Sequence, residues 1–243
     1  EMNAMARSIQ PHLLFNGRNG LPGDFGTPEG HMSAPSPWRP WEACITLNDH
    51  WGHHRGDHNL KQPAAVVKLL SAAASGKGNL LINLGPRADG SIPEVPEQIL
   101  RTVGRWLRTH GEAVFDTDPF TFGLMSREGH NADWSDNGPY TLSGKRLYQW
   151  VLYWPGSELV VAGLNTAVEA VTLLNGSGGR PCEFEQNGGK VTVKGLPEMP
   201  PDEVCPVLRF DCRDVPEIQL GGGMRIPRVP HPPYDPCPPD IMH

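Results

Sequence analysis

GKGNLLINLGPRADGSIP, residues 76–93, contains a nearly apolar run, Leu80 to Leu84, bounded by glycines before it and by Gly85-Pro86 after it. Five residues are too few for a helix and suit a buried strand, while Ala88-Asp89-Gly90 marks a turn, since Asp before Gly is a common turn pair. Upstream, Pro63 opens a helix, because its missing N–H has no intrahelical partner in a first turn. Val67, Leu70 and Ala74 give that helix an apolar face, and Gly76 and Gly78 end it. Downstream, Glu94 to His110 places Ile99, Val103, Trp106 and Leu107 at i, i+4, i+7 and i+8, the period of an amphipathic helix. The stretch is therefore a strand between two helices.

Working back toward the start, Glu42 to Leu47 is a second strand candidate, and a Gly- and Pro-rich loop covers Asn16 to Pro40. Leu13-Leu14-Phe15 reads as a short buried strand, and Met2 to Gln10 as the tail of a helix closed by Pro11. This succession is the grammar of an α/β fold with parallel strands. Three strands cannot close a barrel; they fit the last three of eight, so residues 1–112 are expected to be the C-terminal portion of a (β/α)8-type barrel.

Near residue 112 the character changes. Arg146 to Trp154, Glu158 to Leu164, Ala170 to Leu174, Lys190 to Val193 and Val207 to Cys212 read as strands separated by Pro-Gly and Asn-Gly turns. The fold class expected is α/β followed by all-β, with a β-sandwich over residues 113–220. Residues 221–243 carry seven prolines and three consecutive glycines, and read as an irregular surface tail.

Hydrophobic residues at 38% and charged residues at 20% suit a globular chain with a sizeable core. A net charge of −6 argues against a nucleic-acid partner, which would need a basic face for phosphates. No apolar run of about 18 residues is present to span a membrane, and Glu1 to Arg7 lacks the basic start and apolar stretch of a signal peptide. Five cysteines without a C-x-x-C pair show no zinc spacing. Cys44 reads as a small buried residue, and Cys205 and Cys212 would be bridgeable if they faced each other on neighbouring strands.

In a barrel, chemistry sits on the loops after the carboxyl ends of the strands. Polar residues gather there: Arg18, Asp24 and Glu29 after the first strand; Asn48, Asp49, Trp51 and four histidines after the second; Asn83, Arg87 and Asp89 around the end of the third. The segments RSIQPHLLFNGR (7–18), GDFGTPE (23–29), WEACIT (41–46), Trp51-Gly52, 76–93 and the G-x-W-L-x-x-x-G-E-A-V-F run of 104–115 occur in one order. In that order and spacing they resemble glycoside hydrolase family 29, the α-L-fucosidases, specifically over residues 7–116 and weakly beyond.

The resemblance implies exo-acting, retaining hydrolysis of terminal α-L-fucosides without a cofactor or metal, on a fucosylated oligosaccharide or glycoconjugate. It implies an extracellular, periplasmic or lysosomal-type compartment. Retention needs two carboxyl groups roughly 5 Å apart. The family's aspartate nucleophile lies upstream of the segment matched here, so this chain is expected to lack it and to be inactive alone. The resemblance puts the acid/base at Glu29, with Glu42 of the Trp-Glu pair as the rival; Glu42 otherwise reads as structural, pairing with Arg39 or Arg55. Arg18 matches a sugar-binding arginine whose planar fork suits adjacent hydroxyls. Trp51 matches an aromatic wall for the fucose methyl. His53 stands where the family usually has Tyr, placed to touch the leaving-group sugar. His50, His53, His54 and His58 invite a metal reading, which Gly52 and Gly56 weaken by breaking any helical alignment. The alternative is a catalytically inactive fucose- or glycan-binding relative.

Overall fold

The computed structural model describes residues 2–33, 39–120, 137–176 and 178–217. The proposed tail, 221–243, and Cys237 lie outside them. The first part runs α1 (Met2–Ile9), β1 (Trp41–Thr46), α2 (Pro63–Ser75), β2 (Gly78–Asn83) and α3 (Glu94–His110). β1 and β2 pair in parallel, from Trp41 opposite Gly78 to Thr46 opposite Asn83, with α2 as the crossover that a parallel pair requires.

The register follows from alternation. Trp41, Ala43 and Ile45 of β1 are buried and pack with Ala73 of α2 and with Leu80 and Ile82 of β2. Trp41 also donates its indole N–H to the Gly76 carbonyl at 2.9 Å, tying the start of the strand to the end of the helix. Its ring leaves no space at residue 78, where a Cβ would stand 2.2 Å from the indole, so only glycine fits. α2 begins with Pro63 in its first turn and stops at Gly76. α3 carries Glu94 and Glu97 in its first turn and Arg108 and His110 in its last, the charge order a helix dipole favours.

Residues 13–15 are a correction to the sequence reading. Leu13, Leu14 and Phe15 form no strand, and Leu14 is 69% exposed. Their backbone groups are taken locally instead: the Leu13 N–H by the Gln10 carbonyl, the Phe15 N–H by the Asp24 carboxylate, and the Phe15 carbonyl by the Asp24 N–H. A second parallel partner for β1 comes from the loop. Gly26 bridges to Trp41 and Glu29 to Cys44, with the Glu42 and Cys44 N–H groups donating to the carbonyls of Gly26 and Pro28.

The second part is all-β. β3 (Asp118–Phe120), β4 (Tyr140–Ser143), β5 (Arg146–Trp150), β6 (Leu159–Ala162), β7 (Val168–Leu173), β8 (Arg180–Asn187), β9 (Lys190–Lys194) and β10 (Val207–Cys212) form one curled sheet. Its spatial order is β3-β4-β5-β10-β7-β8-β9-β6, and every pairing is antiparallel. Leu147, Leu164, Val191, Val193, Leu208 and Phe210 are fully buried at its centre. β10 lies between β5 and β7, which places Cys205, just before it, and Cys212, at its end, along one strand. They therefore do not face each other, and both thiols are free and buried, which raises them to about 12 and about 11.

A further apolar cluster crosses residue 112. Trp106 of α3 lies 5.2 Å from Trp150 of β5 and donates its indole N–H to the Cys205 carbonyl at 2.7 Å; Val67, Val103, Tyr148 and Val207 pack around them. The polar edge of this contact joins Glu112 to Tyr148 and Arg209.

Candidate active site

Asn48, Asp49, Trp51 and the histidines follow the carboxyl end of β1, and Arg87 and Asp89 that of β2, while Glu29 lies beside Cys44 in the second half of β1. The segment beside β1 ends at Glu29-Gly30, where Gly30 takes a φ of 75° and turns the chain away. Glu29 is held there by its main chain: the Cys44 carbonyl accepts from the Gly30 N–H at 2.9 Å, and the Pro28 carbonyl accepts from Cys44. Its side chain is 43% exposed, and Oε2 meets Nη1 of Arg18 at 2.5 Å.

Arg18 is presented by a short 3-10 helix, Gly17–Asn19. Asn16 caps it by accepting from the Arg18 N–H, and Gly20, at a φ of 80°, closes it. Gly23 packs so tightly on Asn16 and Gly17 that a Cβ would stand 2.6 Å from their backbone. Asp24 completes the fold of this loop. The Phe15 N–H and the Arg7 guanidinium, which donates at 2.6 and 2.7 Å, hold its carboxyl below the usual carboxylate range. Arg7 and Asp24 thus fasten the loop that brings Arg18 to Glu29. The Arg18–Glu29 pair itself, with both side chains exposed, contributes at most about 1 kcal/mol.

Glu42 lies toward the opposite end of β1. It lines a shallow cleft with Lys77, Asn79, Phe115 and Thr117. The ion pair expected with Arg39 or Arg55 is not formed. Arg39 turns to the Gly23 carbonyl, and Arg55 belongs to the loop beyond the other end of the strand.

Trp51 and His53 stand on that loop, both exposed, Trp51 at 43%. His53 borders a cavity of about 220 Å³ whose other walls include Leu47, Arg55, Leu84 and Arg87. The Gly85 backbone packs on Gly52 and His53, with no room for a Cβ (2.4 Å), so the loop after β2 seats against the loop after β1. No hydrogen bond or ion pair among the described residues joins Trp51 or His53 to the Arg18–Glu29 pair. Arg87 and Asp89 shape their own turn: Asp89 accepts from the Ser91 N–H and hydroxyl, while Arg87 donates to Ser91 and to the Ile92 carbonyl.

The histidines do not converge. His50 gives Nδ1 to Asp57 at 2.7 Å and stacks on His54, ring centroids 4.4 Å apart. Among the described residues no three His, Cys, Asp or Glu side chains are grouped to hold a metal. Asp57 is a residue the sequence reading passed over. Its side chain is 3% exposed, and donors from His50, Asn59, Asn48 and Asp49 together hold its carboxyl down at about 2.

Residues 2–112 match the family model described as Alpha-L-fucosidase. An alpha-L-fucosidase of Branchiostoma floridae is 33% identical over 139 residues, 55% of this chain and 29% of its own length. Among solved structures, alpha-L-fucosidase isoenzyme 1 of Paenibacillus thiaminolyticus superposes with a TM-score of 0.74 at 29% identity, covering 87% of this chain and 52% of that one. A GH29 alpha-L-fucosidase of Bacteroides thetaiotaomicron superposes at 0.64 with 26% identity, covering 81% and 45%. Its structure is a covalent intermediate trapped with 2-fluoro-fucosyl fluoride in a glutamate-to-glutamine variant. The chain spans about a third of the length of the curated relatives it matches.

Proposed function

We propose that this chain, which belongs over residues 2–112 to the alpha-L-fucosidase family, supplies the acid/base side of a retaining α-L-fucosidase active site. In this reading β1, β2 and their helices are the last part of a (β/α)8-type barrel, and the curled antiparallel sheet is a β-sandwich beside it. The observation that carries it is the Arg18–Glu29 pair, exposed beside the carboxyl half of β1, toward the end of parallel strands where ligands of such folds bind.

The chemistry follows from what each side chain can do. An arriving fucoside offers neighbouring hydroxyls to the Arg18 fork, which leaves Glu29 for them. Glu29, released from Arg18, takes up a proton from solvent and then passes it to the departing glycosidic oxygen. An aspartate from the upstream barrel, outside this chain, attacks the anomeric carbon and forms a glycosyl ester. Glu29, now a carboxylate, deprotonates the water that cleaves this ester, and two inversions give net retention. Trp51 supplies an apolar face for the sugar's methyl group, and His53 meets the leaving-group sugar. The covalent intermediate trapped in a glutamate-to-glutamine variant of the Bacteroides relative supports the same two-step course here. No cofactor is required, and the substrate is a fucosylated oligosaccharide or glycoconjugate.

The test is leaving-group dependence. In the catalytically complete enzyme Glu29→Gln should cut hydrolysis of a natural fucoside by roughly 10²- to 10⁴-fold. Formation of the glycosyl ester from a nitrophenyl fucoside, whose leaving group needs no proton, should change far less. Equal losses in both would place the proton donor elsewhere.

A further inference from the structure

The loop after β1, residues 48–59, carries Trp51 and His53 and is exposed from residue 49 to residue 56. It has two glycines and no apolar anchor along that stretch. A segment of this kind loses about 1–2 kcal/mol of backbone entropy per residue when it adopts one shape. Something other than a core must hold it.

That something is Asp57. Its Oδ2 accepts from three groups at the near end of the loop: the Asn48 side chain at 2.7 Å, the Asp49 N–H at 3.0 Å and Nδ1 of His50 at 2.7 Å. Its Oδ1 accepts from the Asn59 N–H at 3.1 Å. Asn59 in turn donates to both carboxylate oxygens of Asp49, at 3.0 and 3.1 Å. The two ends of the loop are thus drawn to one buried carboxylate, and the His50–His54 stack extends the hold toward the crest. Hydrogen bonds to an ionised acceptor are about twice as strong as neutral ones. Every donor named here lies within three residues of Trp51 or at the loop's far end.

We infer that Asp57 is a positioning residue for sugar binding: acting through the Asp49 backbone and the His50 ring, it fixes Trp51 and His53 where the sugar and its leaving group meet them. Asp57 touches no substrate itself. The inference rests on the sugar site proposed above, and its chemistry predicts a specific failure. Asp57→Asn keeps the size and one acceptor oxygen but turns an NH2 toward existing donors, so the clasp opens while the rest of the fold stays.

The experiment uses the 243-residue chain with L-fucose as the probe. Parent, Asp57→Asn and Arg18→Ala are compared by fucose affinity from NMR titration, by amide hydrogen exchange, by the His50 ring tautomer and by Tm. For Asp57→Asn we expect fucose affinity lowered about 10-fold or more, the scale of a displaced binding group. Exchange should rise across residues 48–59 alone, His50 should lose its fixed Nδ1–H tautomer, and Tm should stay close to the parent's. Should that variant fail to fold, His50→Phe keeps the stack and removes one donor, and is expected to weaken fucose about threefold, the worth of one hydrogen bond.

Faster exchange without a change in affinity overturns the inference, because the loop then plays no part in the site. Unchanged exchange overturns it too, because no clasp was opened. If Asp57→Asn weakens fucose and Arg18→Ala does not, the positioning role stands and the assignment of Arg18 falls. A parent chain that takes up no fucose sinks both.

Discussion

The two parts of this molecule are built by different rules. In the antiparallel sheet, stability is made inside the part itself: strand after strand turns alternate apolar residues onto one core, and Leu147, Val191, Leu208 and Phe210 are wholly buried. Among the described residues of the α/β part, Trp41, Ala43, Ile45 and Ala73, with Met32, Leu69, Leu80 and Ile82 against them, form a small core of that part's own. Met2, Met5, Ile9, Leu14 and Leu81 remain exposed, and the largest buried cluster touching α2 and α3 is shared with the sheet. The sheet closes on a core of its own, whereas the α/β part shares its largest cluster with the sheet. The loops that carry Arg18 and Trp51 are held by polar contacts at Asp24 and Asp57, whereas α2 and α3 are anchored by apolar burial against the strands and the sheet.

The largest effect should come from separating the parts. Residues 113–243 expressed alone should unfold cooperatively in calorimetry. Residues 1–112 should show no cooperative transition and should aggregate, because their strands keep unpaired edges and their helices lose Trp150, Val207 and Cys205 as partners. The reverse pattern would mean that the α/β part carries its own core and the sheet depends on it.

Next comes the joint itself. Trp106→Ala removes an indole that is 3% exposed and hydrogen-bonded to the Cys205 carbonyl, and should cost about 3–5 kcal/mol in denaturant unfolding. Leu81→Ala, on a half-exposed face, should cost well under that. If the Trp106 variant unfolds in two separated steps, the joint is what couples the parts; if it costs no more than the Leu81 variant, the shared cluster carries little stability.

Much of this plan could be read from the residues, and the reasons it could are local. α2, β2 and α3 were bounded by Pro63, Gly76, Gly78 and Pro93, whose backbone constraints act where they stand. β10 was legible because its apolar alternation is strong. β3 and β4 carry little signal because they are only three and four residues long. β8 escaped because Pro181 and three polar or charged outward positions dilute its pattern. Leu13 to Phe15 looked like a strand from hydrophobicity, but a strand also needs a ladder partner, and Asp24 claimed those backbone groups first. Glu29 and Arg18 were visible as members of motifs, yet their contact depends on a turn closed by Asn16, Gly20 and Gly23. Asp57 had only a faint signal, the Asp-x-Asn spacing of an Asx turn. Its other donors come from residues 48 to 50, which adjoin it only after the loop has closed.

The smallest effect concerns His110, buried at the joint beneath Trp106. Burial pushes its imidazole below the usual range, so the folded state holds it neutral. The unfolded chain takes up a proton as pH falls through about 6.5, and the folded chain does so only at a lower pH. Stability should therefore be flat above neutrality and decline modestly as the pH drops below that value. His110→Gln should flatten this decline in chemical denaturation measured across pH 7.5 to 5. An unchanged slope would remove His110 from the account of the joint.

Glu29 is the proposed proton-transfer group, and azide separates it from Glu42. In the catalytically complete enzyme, Glu29→Gln should accumulate the glycosyl ester from a nitrophenyl fucoside, because no base activates the second-step water. Azide needs no deprotonation, so it should restore turnover and yield the fucosyl azide with the anomeric configuration of the substrate. Glu42→Gln should lower both kinds of substrate alike, with no rescue. Rescue of the Glu42 variant with the Glu29 variant unmoved would contradict the claim and transfer the role to Glu42.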